Sequence, residues 1–273
     1  MLQILPTHQR AQGELRVSLG LRGGRTVLRD LRQQGCMKAR FPRVEGVHET
    51  VTLNTSGGVA GGDRLETHLS VEPGAAAIFA SQAAERFYRA LPASAPAYIR
   101  TTLTVAPGAS AEWLPQETIL FEDCAADRVL SIDLAGDASV LGLETLVFGR
   151  TAMGETIRHA RLRDTIRIRR DGRLILHDAI RLDGDAGVLD AKAGANANRA
   201  MATLFHVAPD APARLDALRA ACENAPAEMG ASAWNGMLIA RILAPDAARL
   251  RATVTLALNL LRDGRPLPRV WMC

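Results

Sequence analysis

The chain is short of lysine, aromatic residues and paired cysteines, and each shortage removes a class of function. Only Lys38 and Lys192 accompany 31 arginines in 273 residues, so the formal charge of +4 is carried almost wholly by arginine. Eleven Phe, Trp and Tyr side chains are scattered along the sequence. That is too sparse for base stacking interleaved with arginine or for a sugar-stacking groove, so nucleic acid is not an expected partner. Cys36, Cys124, Cys222 and Cys273 lie far apart with no Cys-x-x-Cys. With no basic-then-apolar leader at the start, they read as reduced thiols of a cytoplasmic protein.

The six histidines are dispersed without ligand spacing, and His48 and His68 fall at the polar parity of strands, so no dedicated metal site is legible. No apolar run approaches a membrane span. There is no Gly-x-Ser-x-Gly elbow. Cys124 follows Glu122-Asp123, two carboxylates that disfavour its thiolate.

The most distinctive stretch is Asn54-Thr-Ser-Gly57-Gly-Val-Ala-Gly-Gly-Asp63. A phosphate-cradling loop must open onto a helix and end in Gly-Lys-Ser/Thr. Here Leu65, Thr67, Leu69 and Val71 alternate with polar residues, which is a strand period. The segment is expected to be a tight glycine turn between strands.

Residues 1–185 read as a succession of short strands. Leu15, Val17 and Leu19 share one parity, as do Leu130, Ile132 and Leu134. Leu69 to Gln82 repeats as Leu103 to Gln116, 34 residues on, with seven identities in fourteen, and each copy reads strand, Pro-Gly turn, strand. A weaker copy, Ile132 to Glu144, follows 29 residues later. Repeated strand pairs at this period predict a stacked, two-layer β-helical (solenoid-like) body, with a β-sandwich as the alternative. Between the copies, Ala83 to Leu91 reads as a short connection or one helical turn.

Asp171-Gly172 predicts a hairpin over 158–183. Its first strand sets Leu162, Ile166 and Ile168 on one face and Arg161, Arg163, Arg167 and Arg169 on the other, a basic face suited to an acidic partner. After a loop at 184–199, residues 186–273 are expected to form an α+β cap. It reads strand 202–208, helix Pro212–Glu223, strand 237–244 and helix Pro245–Arg262, with Asp246 at the start of the last helix and Gly264 at its stop. Glu144 and Asp178 interrupt apolar strands, and Glu117, Glu122 and Asp123 bracket the apolar Thr118-Ile-Leu-Phe121. Such carboxylates pair with arginine or line a wet cavity.

Gly57-Gly-Val-Ala-Gly-Gly-Asp63, Gln82-Ala-Ala-Glu-Arg-Phe-Tyr-Arg89, Glu112-Trp-Leu-Pro-Gln-Glu-Thr-Ile-Leu-Phe121, Gly149-Arg-Thr-Ala-Met-Gly-Glu155 and Leu267-Pro-Arg-Val-Trp271 occur in one order along nearly the whole chain. In these blocks the sequence resembles the urease accessory protein UreD (UreH) family. Two departures are Thr55-Ser56, where family members often have proline, and Arg86, where they often have lysine.

The resemblance implies a non-enzymatic maturation factor that binds urease apoprotein together with UreF and the GTPase UreG and promotes nickel insertion. No tightly bound cofactor is implied, only transient nickel. It also implies an internal polar route for nickel, for which Asp63, Glu117, Glu144 and Asp178 are the candidate residues. A carboxylate-pair enzyme on a β-solenoid and a nucleotide-dependent factor using the glycine segment are the competing readings.

Overall fold

The computed structural model describes residues 10–92, 94–150 and 154–272. The chain begins with hairpin β1 (Gln12–Arg22) and β2 (Arg25–Gly35), followed by β3 (Met37–Arg40) and β4 (His48–Asn54). It then alternates between two sheets. β5 (Arg64–Val71), β8 (Ala97–Val105) and β11 (Ala125–Leu134) enter the first, while β6 (Ala76–Ser81), β9 (Ser110–Leu114) and β12 (Ser139–Phe148) enter the second. Each return adds a parallel neighbour: β1, β5, β8 and β11 pair in sequence, and so do β4, β6, β9 and β12.

The sequence repeat is the register of this pairing. Leu69 lies opposite Leu103 and Ala77 opposite Ala111, each 34 residues apart, and Leu103 lies opposite Ile132 at the offset of 29. The Pro-Gly turns stack as well: Gly74 N–H donates to the Pro107 carbonyl, and Gly108 N–H to Asp137 Oδ1. Homologous residues therefore fall on one face, and Leu69, Leu103 and Ile132 are all buried in the core between the sheets.

β13 (His159–Arg170) and β14 (Arg173–Asp185) close the first sheet as an antiparallel hairpin. Its turn residues have positive φ, +49° at Asp171 and +77° at Gly172, as a type I′ turn requires. The stretch expected to be a connection or helical turn contains a strand instead, β7 (Glu85–Phe87). It pairs with β10 (Thr118–Leu120), which in turn joins β12. Three residues are too few for a legible period, and the pairing supplies their hydrogen bonds.

The C-terminal residues extend the second sheet. β15 (Ala200–Val207) pairs antiparallel with β12, then β17 (Met237–Ala244) with β15, and β16 (Glu228–Trp234) with β17. β16 was not expected, although the Asn235-Gly236 turn after it, with φ of +49° and +72°, is a hairpin signal. The helix expected over Pro212–Glu223 is a 3₁₀ turn at Ala211–Arg214 followed by the short α1 (Leu215–Ala221). α2 (Ala247–Leu261) matches its expected span: the Asp246 side chain accepts from Arg249 N–H, and Gly264, at φ +73°, follows its end. No helix among the described residues is long and apolar enough to cross a membrane.

α2 buries Leu250, Val254, Ala257, Leu258 and Leu261 against the outer side of the second sheet. That sheet is covered on both faces, which is why β12 and β15 are buried almost throughout. The helix is latched by arginine. Arg262, fully buried, donates from Nε to Glu112 Oε2 on β9 at 2.7 Å, and Arg251 reaches Glu117 Oε1 at 2.9 Å. Removing the carboxylate from Arg262 strands a buried cation. Glu112→Ala is therefore expected to lower the unfolding free energy by about 3–5 kcal/mol in urea titration; a loss under about 1 kcal/mol would remove this pair as the latch.

Candidate functional site

The glycine segment is a turn joining β4 to β5, as the strand period implied. Gly58 has φ +142°, and a Cβ there would lie 2.3 Å from Tyr88 Cε2, so only glycine lets the loop lie against that ring. Tyr88 Oη donates to the Gly57 carbonyl at 2.9 Å, and Val59 exchanges backbone hydrogen bonds with Arg86 and Tyr88. Asp63 closes the turn. Its two carboxylate oxygens accept Ala11 N–H and Ala60 N–H, each at 2.8 Å.

Beside this turn a surface pocket of about 200 Å³ adjoins an interior cavity of about 110 Å³ between the sheets. The two share Met37, Thr52, Ser81 and Glu85 as walls. Glu85, on β7, thus stands between the surface and the interior. Its carboxylate is half-buried, accepts Asn54 Nδ2–H at 3.2–3.3 Å, and has no ion-pair partner among the described residues. Burial raises its pKa, against the smaller opposing effect of the Asn54 hydrogen bond.

The far wall of the cavity is ionic. Arg128 of β11 and Asp164 of β13 are register neighbours on the inward side of the first sheet and form a two-point pair, Nε–Oδ1 2.9 Å and Nη2–Oδ2 2.6 Å. Arg128 Nη1 also lies 2.6 Å from Glu144 Oε2, on the inward side of β12 in the opposite sheet. Trp113 Nε1–H donates to Glu144 Oε1 at 2.7 Å. Burial raises the Glu144 carboxyl although Arg128 pulls the other way. Next to Glu144 in the second sheet come Thr203 and then Arg241, and Arg241 Nη2 holds both oxygens of Asp178 from β14 at 2.7 and 2.8 Å.

Of the four acidic residues singled out by sequence, Glu144 and Asp178 therefore lie in one polar seam between the sheets, each paired with arginine. Asp63 holds the glycine turn, and Glu117 pairs with Arg251 beneath α2. Glu85, Arg128, Asp164 and Arg241 were missed. Arg128 shares the inward parity of Leu130 and Ile132, and Asp164 that of Leu162 and Ile166, so a charge at an inward position was the available signal. Arg161, Arg163, Arg167 and Arg169 lie on the opposite, outward side of β13.

Glu122, Asp123 and His159 do converge, with one ligand atom of each within 4.8 Å of the others. Glu122 already accepts Arg158 N–H, and Asp123 faces Arg89. His48 is half-buried and tilted against Phe41, not simply a surface residue. Burial pushes the Cys124 thiol up to about 12, which leaves it a poor nucleophile. Cys273 and residues 151–153 of the Gly149–Glu155 block lie outside the described residues.

Two outcomes follow from the seam and its entrance. Arg128→Met leaves Asp164 and Glu144 buried without a cation, and should cost about 3–5 kcal/mol in urea titration; a neutral substitution would mean the seam is hydrated. For Glu85, a folded-state pKa above the unfolded value means the folded chain binds the proton more tightly, so stability falls as pH rises past the ordinary carboxylate range. Glu85→Gln should be more stable than the parent at pH 7.5, with the gap closing toward pH 4. A gap independent of pH would show that this carboxylate does not titrate differently on folding.

The family described as UreD urease accessory protein matches residues 11–272. The chain is similar to the urease accessory protein UreD of Azorhizobium caulinodans, 45% identical over 97% of this chain and 98% of the relative. It is 45% identical to that of Dinoroseobacter shibae over 97% of this chain and 94% of the relative, and 46% identical to that of Xanthobacter autotrophicus over 96% and 90%. With the glycine turn, the β7 segment and the β9–β10 segment all falling inside that match, the chain belongs to the UreD family of urease accessory proteins.

Proposed function

We propose that this chain is a non-catalytic maturation factor of the cytoplasm, which binds urease apoprotein and joins UreF and the GTPase UreG to promote nickel insertion. The observation that carries the reading is the match to urease accessory proteins over residues 11–272. The interior supports a passage for the metal as cargo. Glu85 stands where the surface pocket meets the cavity, Glu144 lies buried on the cavity wall, and Asp178 lies further along the seam, where it is half-buried. Carboxylate and hydroxyl oxygens suit a divalent ion that must be released again, unlike a closed thiolate site. In this reading Asp63 and Glu117 hold the walls, through the glycine turn and α2 respectively, instead of touching the ion.

Glu85 gives the cleaner test, because Glu144→Gln also disturbs Arg128. Co-expressed with UreF, UreG and urease, Glu85→Gln should still assemble, since glutamine keeps an acceptor for Asn54, yet activate urease several-fold less than the parent at limiting nickel. Full activation by an assembled Glu85→Gln variant would remove Glu85 from the passage. If the parent chain itself co-purifies with none of the three proteins, the scaffold reading fails.

A further inference from the structure

The outward side of the β13–β14 hairpin carries cations that its own acids do not balance. Four of the hairpin's five aspartates are engaged elsewhere, and Asp183, opposite Arg161 in register on this same side, is taken by Arg181. Asp164 is held by Arg128 and Asp178 by Arg241, both inside the protein. Asp171 accepts Gly136 N–H and Asp185 accepts Gly187 N–H, each at 2.8 Å, and Asp183 pairs with Arg181 at 2.6 Å. Arg163 lies 3.9 Å from Asp127, a carboxylate that Arg100 already holds at 3.0 Å. Among the described residues Arg161 donates only to the Ser94 carbonyl, at 3.2 Å. Arg167 and Arg169 form no ion pair with any described residue, although Asp133 stands across from Arg169 in register.

The neighbouring floor is low. Ser131 and Thr102 continue the row from Arg167, and Thr104 lies beyond Asp133 in the row from Arg169. Residues two apart on a strand repeat at roughly 7 Å, so Arg161 with Arg163 and Arg167 with Arg169 form two such pairs in one line, parted by the buried Thr165. An extended acidic segment presents its alternate side chains at the same spacing.

We propose that this face docks a protein partner through an acidic, extended segment whose carboxylates alternate along the strand. The assembly reading supplies the existence of a partner, while the charge array supplies its chemistry. Nucleic acid is disfavoured because the one Phe, Tyr or Trp on the outward side of β5, β8, β11, β13 and β14 is Tyr98. Arg100 and Arg64 stand 5.5 and 5.8 Å from its ring centroid, and base stacking needs an open ring face.

The test uses the full chain, a labelled peptide of alternating glutamate and serine, and a duplex DNA of equal charge. The parent should bind the peptide with an affinity that falls as salt rises. Arg167→Glu/Arg169→Glu should bind it at least ~10-fold more weakly, whereas Arg29→Glu/Arg32→Glu, at the opposite edge of the sheet, should not weaken it. Matching thermal melts establish that the variants fold. In co-purification with UreF, UreG and urease apoprotein, the first double variant should lose a component that the parent retains. Unchanged peptide affinity, tighter binding of the duplex, or unimpaired assembly of Arg167→Glu/Arg169→Glu overturns the proposal. Failure of the parent to assemble removes the scaffold reading instead, and the peptide comparison still decides the face.

Discussion

Parallel strands in this protein pair one full circuit apart, and the fixed register lines up inward-facing side chains in rows across each sheet. A charge in such a row that water does not reach must find its counter-charge in the same row or in the facing sheet. Arg128 satisfies both demands. It takes Asp164 from the adjacent strand and Glu144 from the opposite sheet, tying the two layers at a point where most of the core is held by apolar contact alone. The cavity beside it is lined by Arg128 and Glu144 together with the apolar Leu65, Ile99 and Leu130.

Arginine does three separate jobs in the chain, distinguished by place in the fold. Arg128 and Arg241 hold carboxylates between the sheets. Arg262 and Arg251 lock α2 to the β9–β10 segment, and so cover the outer side of the second sheet. The arginines of β13 remain outside, where a charge costs little to keep and is free to meet a partner. A guanidinium suits the buried roles because its fork satisfies two oxygens at once.

The second sheet is buried on both faces and the first on one, which divides the labour of the molecule. Its polar interior is reached beside the glycine turn, where Glu85 is the one acidic wall common to pocket and cavity. Gly58 makes that entrance possible by letting the loop lie on Tyr88.

Local patterns settled much of the fold. Alternation set which residues face inward, Asp171-Gly172 set a hairpin, Asp246 set the start of α2, and the 34-residue repeat proved to be the pairing register itself. What no local pattern held was the meeting of distant charges. Glu85, on a strand of three residues, has no period to read, and its place at the cavity mouth depends on β10 lying beside it. Arg128 and Asp164 lie 36 residues apart, and Asp178 finds Arg241 only because β14 and β17 face one another across the core. The sequence by itself determined the facing of side chains on the long strands it made legible, since strand parity is a property of consecutive residues. Tertiary structure alone decided the partner of each inward charge, since that depends on register and on the approach of two sheets.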